Sequence, residues 1–237
     1  MKSPMLRLYD NHLSGNGYKP RLLMAHLGLT YERIELDIMT GETRTPDFLA
    51  LNPNGRIPLL QLDDGTCLAE SNAILCYLAE GSRFLPAARL DWALTLQWLF
   101  FEQYSHEPNI AVARHWIQHS DMTDLQHAQL PAKQDGGHAA LAVMEGHLGG
   151  ADWFGGAAMT VADIALYAYT HVADEGGFDL AGYPAVTAWL ARVAAEPGHV
   201  PMLPAPEGIV TDGGRQAIIG SPLLKSPVPA PSSIAPG

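Results

Sequence analysis

Apolar and polar positions alternate with period two over residues 5–9, Met-Leu-Arg-Leu-Tyr, which predicts a strand. A polar, glycine-bearing loop follows over 10–17. Residues 18–27 then set Leu22, Leu23, Met24 and Leu27 at helical spacing, closed by Gly28. Alternation returns over 31–38, with Tyr31, Arg33, Glu35 and Asp37 against Ile34, Leu36 and Ile38. A strand, a helix and a strand in so short a stretch form a βαβ unit, so the two strands should be parallel. A short helix is expected over 46–51, a loop over 52–55 and a third strand over 57–62. Asp63-Asp64-Gly65 is a tight-turn signal, so the fourth strand, 66–69, should run antiparallel to the third. Ala73, Ile74, Tyr77 and Leu78 give one apolar helical face, ended by Gly81.

After Pro86 the strand signal stops. Residues 88–118 carry Leu90, Leu94, Trp98, Phe101 and Tyr104 at spacings of three or four. Residues 123–148 are weakly helical, and Pro131 and Gly136-Gly137 predict breaks or kinks. Strong helices are expected over 160–173 and 184–196. The pattern therefore divides into an α/β module over 1–82, an all-helical domain over 87–202 and a proline-rich, extended or disordered tail over 203–237.

Composition narrows the function classes. Of 237 residues, 47% are hydrophobic and 16% charged, enough apolar content to bury a core. No apolar run reaches a membrane-spanning length, and the first residues lack the apolar stretch of a signal peptide. The formal charge of −11, with Lys and Arg scattered, argues against nucleic acid as a partner. Cys67 and Cys76 form neither a CxxC nor a metal-ligand pattern, which suits a reducing, cytoplasmic setting without structural disulfides.

Four segments carry chemistry or structure beyond this pattern: Ser14-Gly15-Asn16-Gly17-Tyr18-Lys19, Asn52-Pro53-Asn54-Gly55-Arg56-Ile57-Pro58, Glu70-Ser71-Asn72-Ala73-Ile74 and Thr160-Val161-Ala162-Asp163. The first lies between a strand and a helix start, where free backbone N–H groups and the helix dipole favour an anion such as a thiolate. Read alone, Ser14 and Asn16 are also ordinary helix caps. In their order and spacing, the four segments resemble the glutathione transferases over about residues 5–200, and the first looks most like the nu-type and related Ser/Thr branches.

The resemblance implies a thioredoxin-like N-terminal domain, a helical C-terminal domain, glutathione as co-substrate and a homodimer. It makes Ser14 the hydroxyl donor and Asn16 the amide donor to the glutathione thiolate, with Tyr9 as a rival donor and Lys19 as a nearby positive charge or an exposed lysine. It makes Pro58 a cis proline and Ile57 the backbone partner of the cysteinyl part. Arg56 then faces the glycine carboxylate or stays solvated. Glu70 and Ser71 hold the ammonium and carboxylate of the γ-glutamyl end, or act as a capping pair. Thr160 and Asp163 are read as a structural capping box with Met159 and Ile164 as its hydrophobic staple, and Asp163→Ala is expected to cost about 1–2 kcal/mol.

Other features carry less. His115 and His119 stand four apart, but Trp116 occupies the place of a zinc protease's glutamate, and no metal is expected. The aromatic cluster Trp98, Phe100, Phe101 and Tyr104 reads mostly as core; Tyr104, His106, Asn109 and Arg114 are candidates for the second-substrate pocket of the interdomain cleft. Cys67 and Cys76 are expected to be buried and inert, so a protein thiol is not the expected nucleophile. The function expected is thiolate transfer from glutathione to a small electrophile. Nu-type disulfide reduction, or a non-catalytic binding module on the same fold, stand as alternatives.

Overall fold

A computed structural model describes residues 6–118, 121–202, 209–212 and 215–218, the last two strands by their backbone. The N-terminal module runs β1 (Leu6–Asp10), α1 (Gly15–Leu27), β2 (Tyr31–Glu35), α2 (Pro46–Leu51), β3 (Leu59–Gln61), β4 (Cys67–Ala69) and α3 (Ser71–Ala79). β1 pairs parallel to β2, with Leu8 opposite Arg33, and antiparallel to β3, with Leu8 opposite Leu60. β3 pairs antiparallel to β4, with Leu59 opposite Ala69. This is the mixed four-stranded sheet of a thioredoxin-like domain.

Several boundaries differ from the sequence pattern. α1 begins three residues before the first expected helical position, because Ser14 caps it and Asn11 to Ser14 turn tightly. β2 stops at Glu35, since Asp37 accepts from Met39 N and Thr40 N and bends the chain. Of the tail expected from 203, the described residues form two strands: β5 (Ile209–Asp212) and β6 (Arg215–Ile218) pair with each other, and β6 adds antiparallel to β2. The sheet order becomes β4-β3-β1-β2-β6-β5.

The helical domain contains α4 (Arg89–Phe101), a π-helical turn over Glu102–His106, α5 (Glu107–Gln118), α6 (Asp124–Leu148), α7 (Val161–Thr170) and α8 (Pro184–Ala195). α6 runs unbroken through Pro131 and Gly136-Gly137, against the expected kinks. The glycines serve close packing: a Cβ on Gly137 would stand 2.3 Å from Phe178 Cε1. The helix passes so near its neighbours that any side chain there would collide, and packing outweighs glycine's low propensity. Every residue of α7 is buried. Its face joins Tyr18, Leu22 and Leu23 of α1 and Leu75 of α3 in one core shared by both domains. A smaller cluster, Tyr9, Ile34, Leu36, Phe48 and Leu59, fills the other face of the sheet.

At the start of α7, Thr160 accepts from Ala162 N and Asp163 Oδ2 accepts from Thr160 N at 2.8 Å, closing a capping box. The carboxylate does more than cap. Asp163 Oδ1 also accepts from Phe154 N at 2.9 Å and Trp189 Nε1 at 3.0 Å, with no solvent exposure. Alanine would strand three buried donors, so the expected cost of Asp163→Ala rises from the capping value to about 3–5 kcal/mol. Urea unfolding measures it.

Burial pushes the Asp163 carboxyl up to about 7, against the pull of those donors. The folded value lies above the unfolded 3.8, so within that window the folded chain holds a proton that the unfolded chain has released. The stability contributed by this group therefore falls as pH rises toward 7. Unfolding free energies at about pH 5.5 and about pH 8 should differ more in the wild type than in Asp163→Asn, which cannot titrate.

Candidate active site

The site gathers where β1 ends, α1 begins and the helical domain leans over both. Ser14 is half-buried at the N-cap of α1, in extended conformation, and its Oγ accepts from Gly17 N at 3.1 Å. An accepting hydroxyl keeps its own hydrogen, so the cap can still donate outward. Asn16 is gripped from two sides. Its Oδ1 accepts from Ser71 Oγ at 3.0 Å, its Nδ2 donates to Glu107 Oε1 at 2.8 Å, and its backbone N–H donates to Tyr169 OH at 3.2 Å. One amide hydrogen remains uncommitted.

Gly17 has a specific reason. A Cβ there would lie 1.5 Å from Asp10 Oδ1. The Asp10 carboxylate fills that space and pairs with Arg21 at 2.9 Å and Arg33 at 3.1 Å. Burial pushes Asp10 up to about 6, opposed by both guanidinium groups. Arg33 also pairs with Glu35 at 2.6 Å. A buried charge array thus underlies the loop that carries Ser14.

Ile57-Pro58 is cis and directly precedes β3. The β3–β4 register places this end of β3 beside Glu70 and Ser71. Arg56 is exposed, and its backbone carbonyl accepts from Asn52 Nδ2 at 2.7 Å. Glu70 is exposed, at φ 67° and ψ 114°, and makes no side-chain cap bond. It is the only non-glycine residue with positive φ among the described residues, a conformation that costs backbone strain.

Ser71 begins α3 and is buried. Behind it lies Lys19, fully buried and not exposed. Its Nζ reaches Glu102 Oε1 at 2.9 Å, Ser71 Oγ at 3.3 Å and Asn72 Oδ1 at 3.4 Å. Asn72 Nδ2 and Gln103 Nε2 donate to Glu102 Oε2 at 3.0 and 2.8 Å, and Gln103 Nε2 bridges to Glu107 at 2.7 Å. The π turn is what presents Glu102 inward. Neither Glu102 nor Glu107 carried a sequence signal: each meets its partner across a sequence separation of 83 or 91 residues.

The cleft holds a cavity of about 430 Å³ bordered by Ser14, Leu13, Ile38, Met39, Arg114 and Tyr169 among others. A second, of about 340 Å³, shares His12, Leu13, Arg114 and Glu175 and adds Tyr18, Tyr167, His171 and His199. Of the four residues expected in the second-substrate pocket, Arg114 borders both cavities. Tyr104 is 87% exposed, and its place on the π turn is outside them. His106 is buried with Nε2 2.9 Å from Thr170 Oγ1, and burial with the Lys19 charge pushes its imidazole down to about 3, so it stays neutral. Asn109 donates to Ser105 O at 2.7 Å and packs over Gly136 of α6. Trp98 is core, against Phe101 and Phe154, whereas Phe100 is exposed. Tyr9 is buried, its OH 3.3 Å from Gln61 Oε1. His119 lies outside the described residues; among those described, no group of three His, Cys, Asp or Glu residues could hold a metal ion. Cys67 and Cys76 are half-buried, and burial pushes both thiols up, toward the unreactive form.

A thioredoxin-like domain, a helical domain and a hydroxyl at the first helix start define the glutathione transferase class of protein. Residues 4–80 match the glutathione S-transferase N-terminal domain family and residues 98–197 the C-terminal domain family. The chain belongs to the glutathione S-transferase family. It is 32% identical over 189 residues to the disulfide-bond oxidoreductase YfcG of Escherichia coli, covering 77% of this chain and 87% of that protein. A solved glutathione S-transferase from Pseudomonas fluorescens shares 51% identity at a TM-score of 0.82, over 84% of this chain and all of the other. Ure2p in complex with glutathione shares 26% identity at a TM-score of 0.74, over 84% and 92% of the two chains.

Proposed function

We propose that the chain binds glutathione as its thiolate and directs the sulfur at a small electrophile in the cleft. The observation that carries this is the start of α1: Ser14 keeps a free hydroxyl hydrogen, and Asn16 is clamped by Ser71 and Glu107. The thiolate sits against the Ser14 hydroxyl, the spare Asn16 N–H and the helix N-terminus. Ile57 offers its backbone to the cysteinyl part. Glu70 receives the γ-glutamyl ammonium, Ser71 its α-carboxylate, and the exposed Arg56 guanidinium is free to meet the glycine carboxylate. The nucleophile belongs to glutathione, so the protein supplies orientation and anion stabilisation. Arg114, Leu13, Ile38 and Met39 line the electrophile's side of the cleft.

A second reaction is supported by the similarity to YfcG. With glutathione as nucleophile and no protein thiol in the cleft, the same thiolate would attack a disulfide sulfur. The exposed apolar residues Tyr77, Leu90, Leu94, Phe100 and Tyr104 on α3, α4 and the π turn suit a second copy of the chain, and the reducing cytoplasm suits the co-substrate. Calorimetric titration with reduced and with oxidised glutathione tests the proposal. Micromolar-to-millimolar affinity is expected. Tighter binding of the oxidised form would favour disulfide reduction, turnover of no electrophile or disulfide would favour a binding module, and no binding of either form would overturn the reading.

A further inference from the structure

We propose that His12, held by Glu35, is the proton donor of the cleft: it delivers a proton to the atom of the electrophile that would otherwise end as a strong base. The proposal rests on the glutathione reading above. His12 lies two residues before Ser14 and borders both cavities. Its Nδ1 stands 2.6 Å from Glu35 Oε1, and the same oxygen accepts the His12 backbone N–H. Glu35 is 6% exposed at the side chain and braced by Arg33 at 2.6 Å, so the carboxylate cannot swing away. A carboxylate on Nδ1 fixes the Nδ1–H form and leaves the lone pair on Nε2. Nε2 has no hydrogen-bond partner among the described residues, and the side chain is 23% exposed.

The neighbouring charges do not compete for this task. Behind Glu35, Arg33 and Arg21 are paired with Asp10, and Arg21 Nη2 also donates to the His12 carbonyl at 3.1 Å. From the helical domain, Arg114 pairs with Glu175 at 2.6 Å and donates to Leu13 O at 2.9 Å; a guanidinium does not release its proton. His115 and Asp37 border the larger cavity, and Asp37 already accepts from Met39 N and Thr40 N. His171 and His199 border the smaller one, where His171 Nδ1 lies 2.8 Å from Tyr167 O and His199 Nε2 lies 3.1 Å from Tyr167 OH.

The step balances with solvent as the proton reservoir. The S–H proton leaves to solvent as glutathione binds as its thiolate, and Nε2 takes up a proton from solvent. Sulfur bonds to the electrophilic carbon of, for example, an epoxide; the C–O bond breaks and its electron pair goes to oxygen. The Nε2–H proton then completes the hydroxyl, and neutral His12 is restored. An aryl chloride needs no such donor, because chloride leaves unprotonated.

The test compares wild type with His12→Gln, using a terminal epoxide and a chlorodinitrobenzene at saturating glutathione, with glutathione affinity measured calorimetrically on both proteins. The epoxide kcat should fall about 10²-fold, while the aryl chloride kcat and glutathione affinity change by less than about threefold. Equal losses on both electrophiles, no loss on the epoxide, or glutathione binding without epoxide turnover in the wild type would overturn the proposal. Failure of the wild type to bind glutathione would instead overturn the reading beneath it. Should the variant fail to fold, the wild-type pH profile decides: the epoxide rate should show a descending alkaline limb that the aryl chloride rate lacks, and matching limbs would refute proton delivery by His12.

Discussion

Ser14→Ala is expected to lower kcat/KM for thiol transfer about 10²–10³-fold, the usual effect of removing one donor from a developing or bound anion. A free thiol ionises near pH 8.5, and holding it mostly ionised at neutral pH takes roughly 2.7 kcal/mol of preference for the anion over two units. The hydroxyl is one of three sources, beside the Asn16 amide and the start of α1. The variant also loses the bond that Ser14 Oγ accepts from Gly17 N, which adds about 1 kcal/mol of lost stability. Two readouts separate these effects. Ultraviolet absorbance of bound thiolate against pH should shift upward in Ser14→Ala, toward the free thiol. Ser14→Thr retains both hydroxyl and cap and should restore most of the activity. A variant that loses stability but keeps the thiolate signal would reduce Ser14 to a cap.

Lys19→Met should lose about 3–5 kcal/mol of stability, as much as Asp163→Ala, by leaving Glu102 buried without its counter-charge. Both side chains are 0% exposed, and their contact of 2.9 Å joins α1 of the first domain to the π turn of the second. Asn72 and Gln103 would still donate to Glu102, but neither carries a charge. Glu102→Leu should cost a similar amount for the mirror-image reason. The double variant Lys19→Met with Glu102→Leu removes both charges and should recover a large part of the loss, because desolvation of the pair offsets most of its attraction. Urea unfolding of the four proteins closes the cycle. Glutathione affinity should fall in Lys19→Met as well, since Nζ also reaches Ser71 Oγ. Strict additivity of the single changes would show that the pair is not coupled.

Local features of the chain were legible wherever one short segment settles its own conformation. Alternation over 6–9 and 31–35 and the turn at Asp63-Asp64-Gly65 are properties of adjacent residues, and the sheet places those strands in the expected pairing. The glycine at position 28 closes α1 at φ 65° for the same reason. Position 17 is different. Its glycine, in the first turn of α1, is decided by an aspartate at the end of β1, and no reading of 14–19 alone shows that a Cβ would meet Asp10. The helix over 124–148 is a third case: proline and glycines argue locally for breaks, whereas Phe178, from a distant segment, packs into the space the glycines leave. The hairpin in the tail had a local signal, Gly213-Gly214 between two short β-prone runs, but proline density around it masked the period.

By itself the sequence determined the class of each domain, the hydroxyl and amide at the first helix start, the proline before the third strand, and the acidic-hydroxyl pair opening α3. Those are properties of residue types at fixed offsets, and backbone geometry carries them forward without outside help. Tertiary structure alone decided which partners these groups meet. It set Glu102 and Glu107 behind Lys19 and Asn16, turned His106 into the core and left Tyr104 in solvent, and put Glu35 against His12. The first three are chosen by how two domains pack around α7, and the last by the parallel pairing of β1 with β2. The energy of a buried charge or an open lone pair depends on that packing and not on its neighbours in sequence.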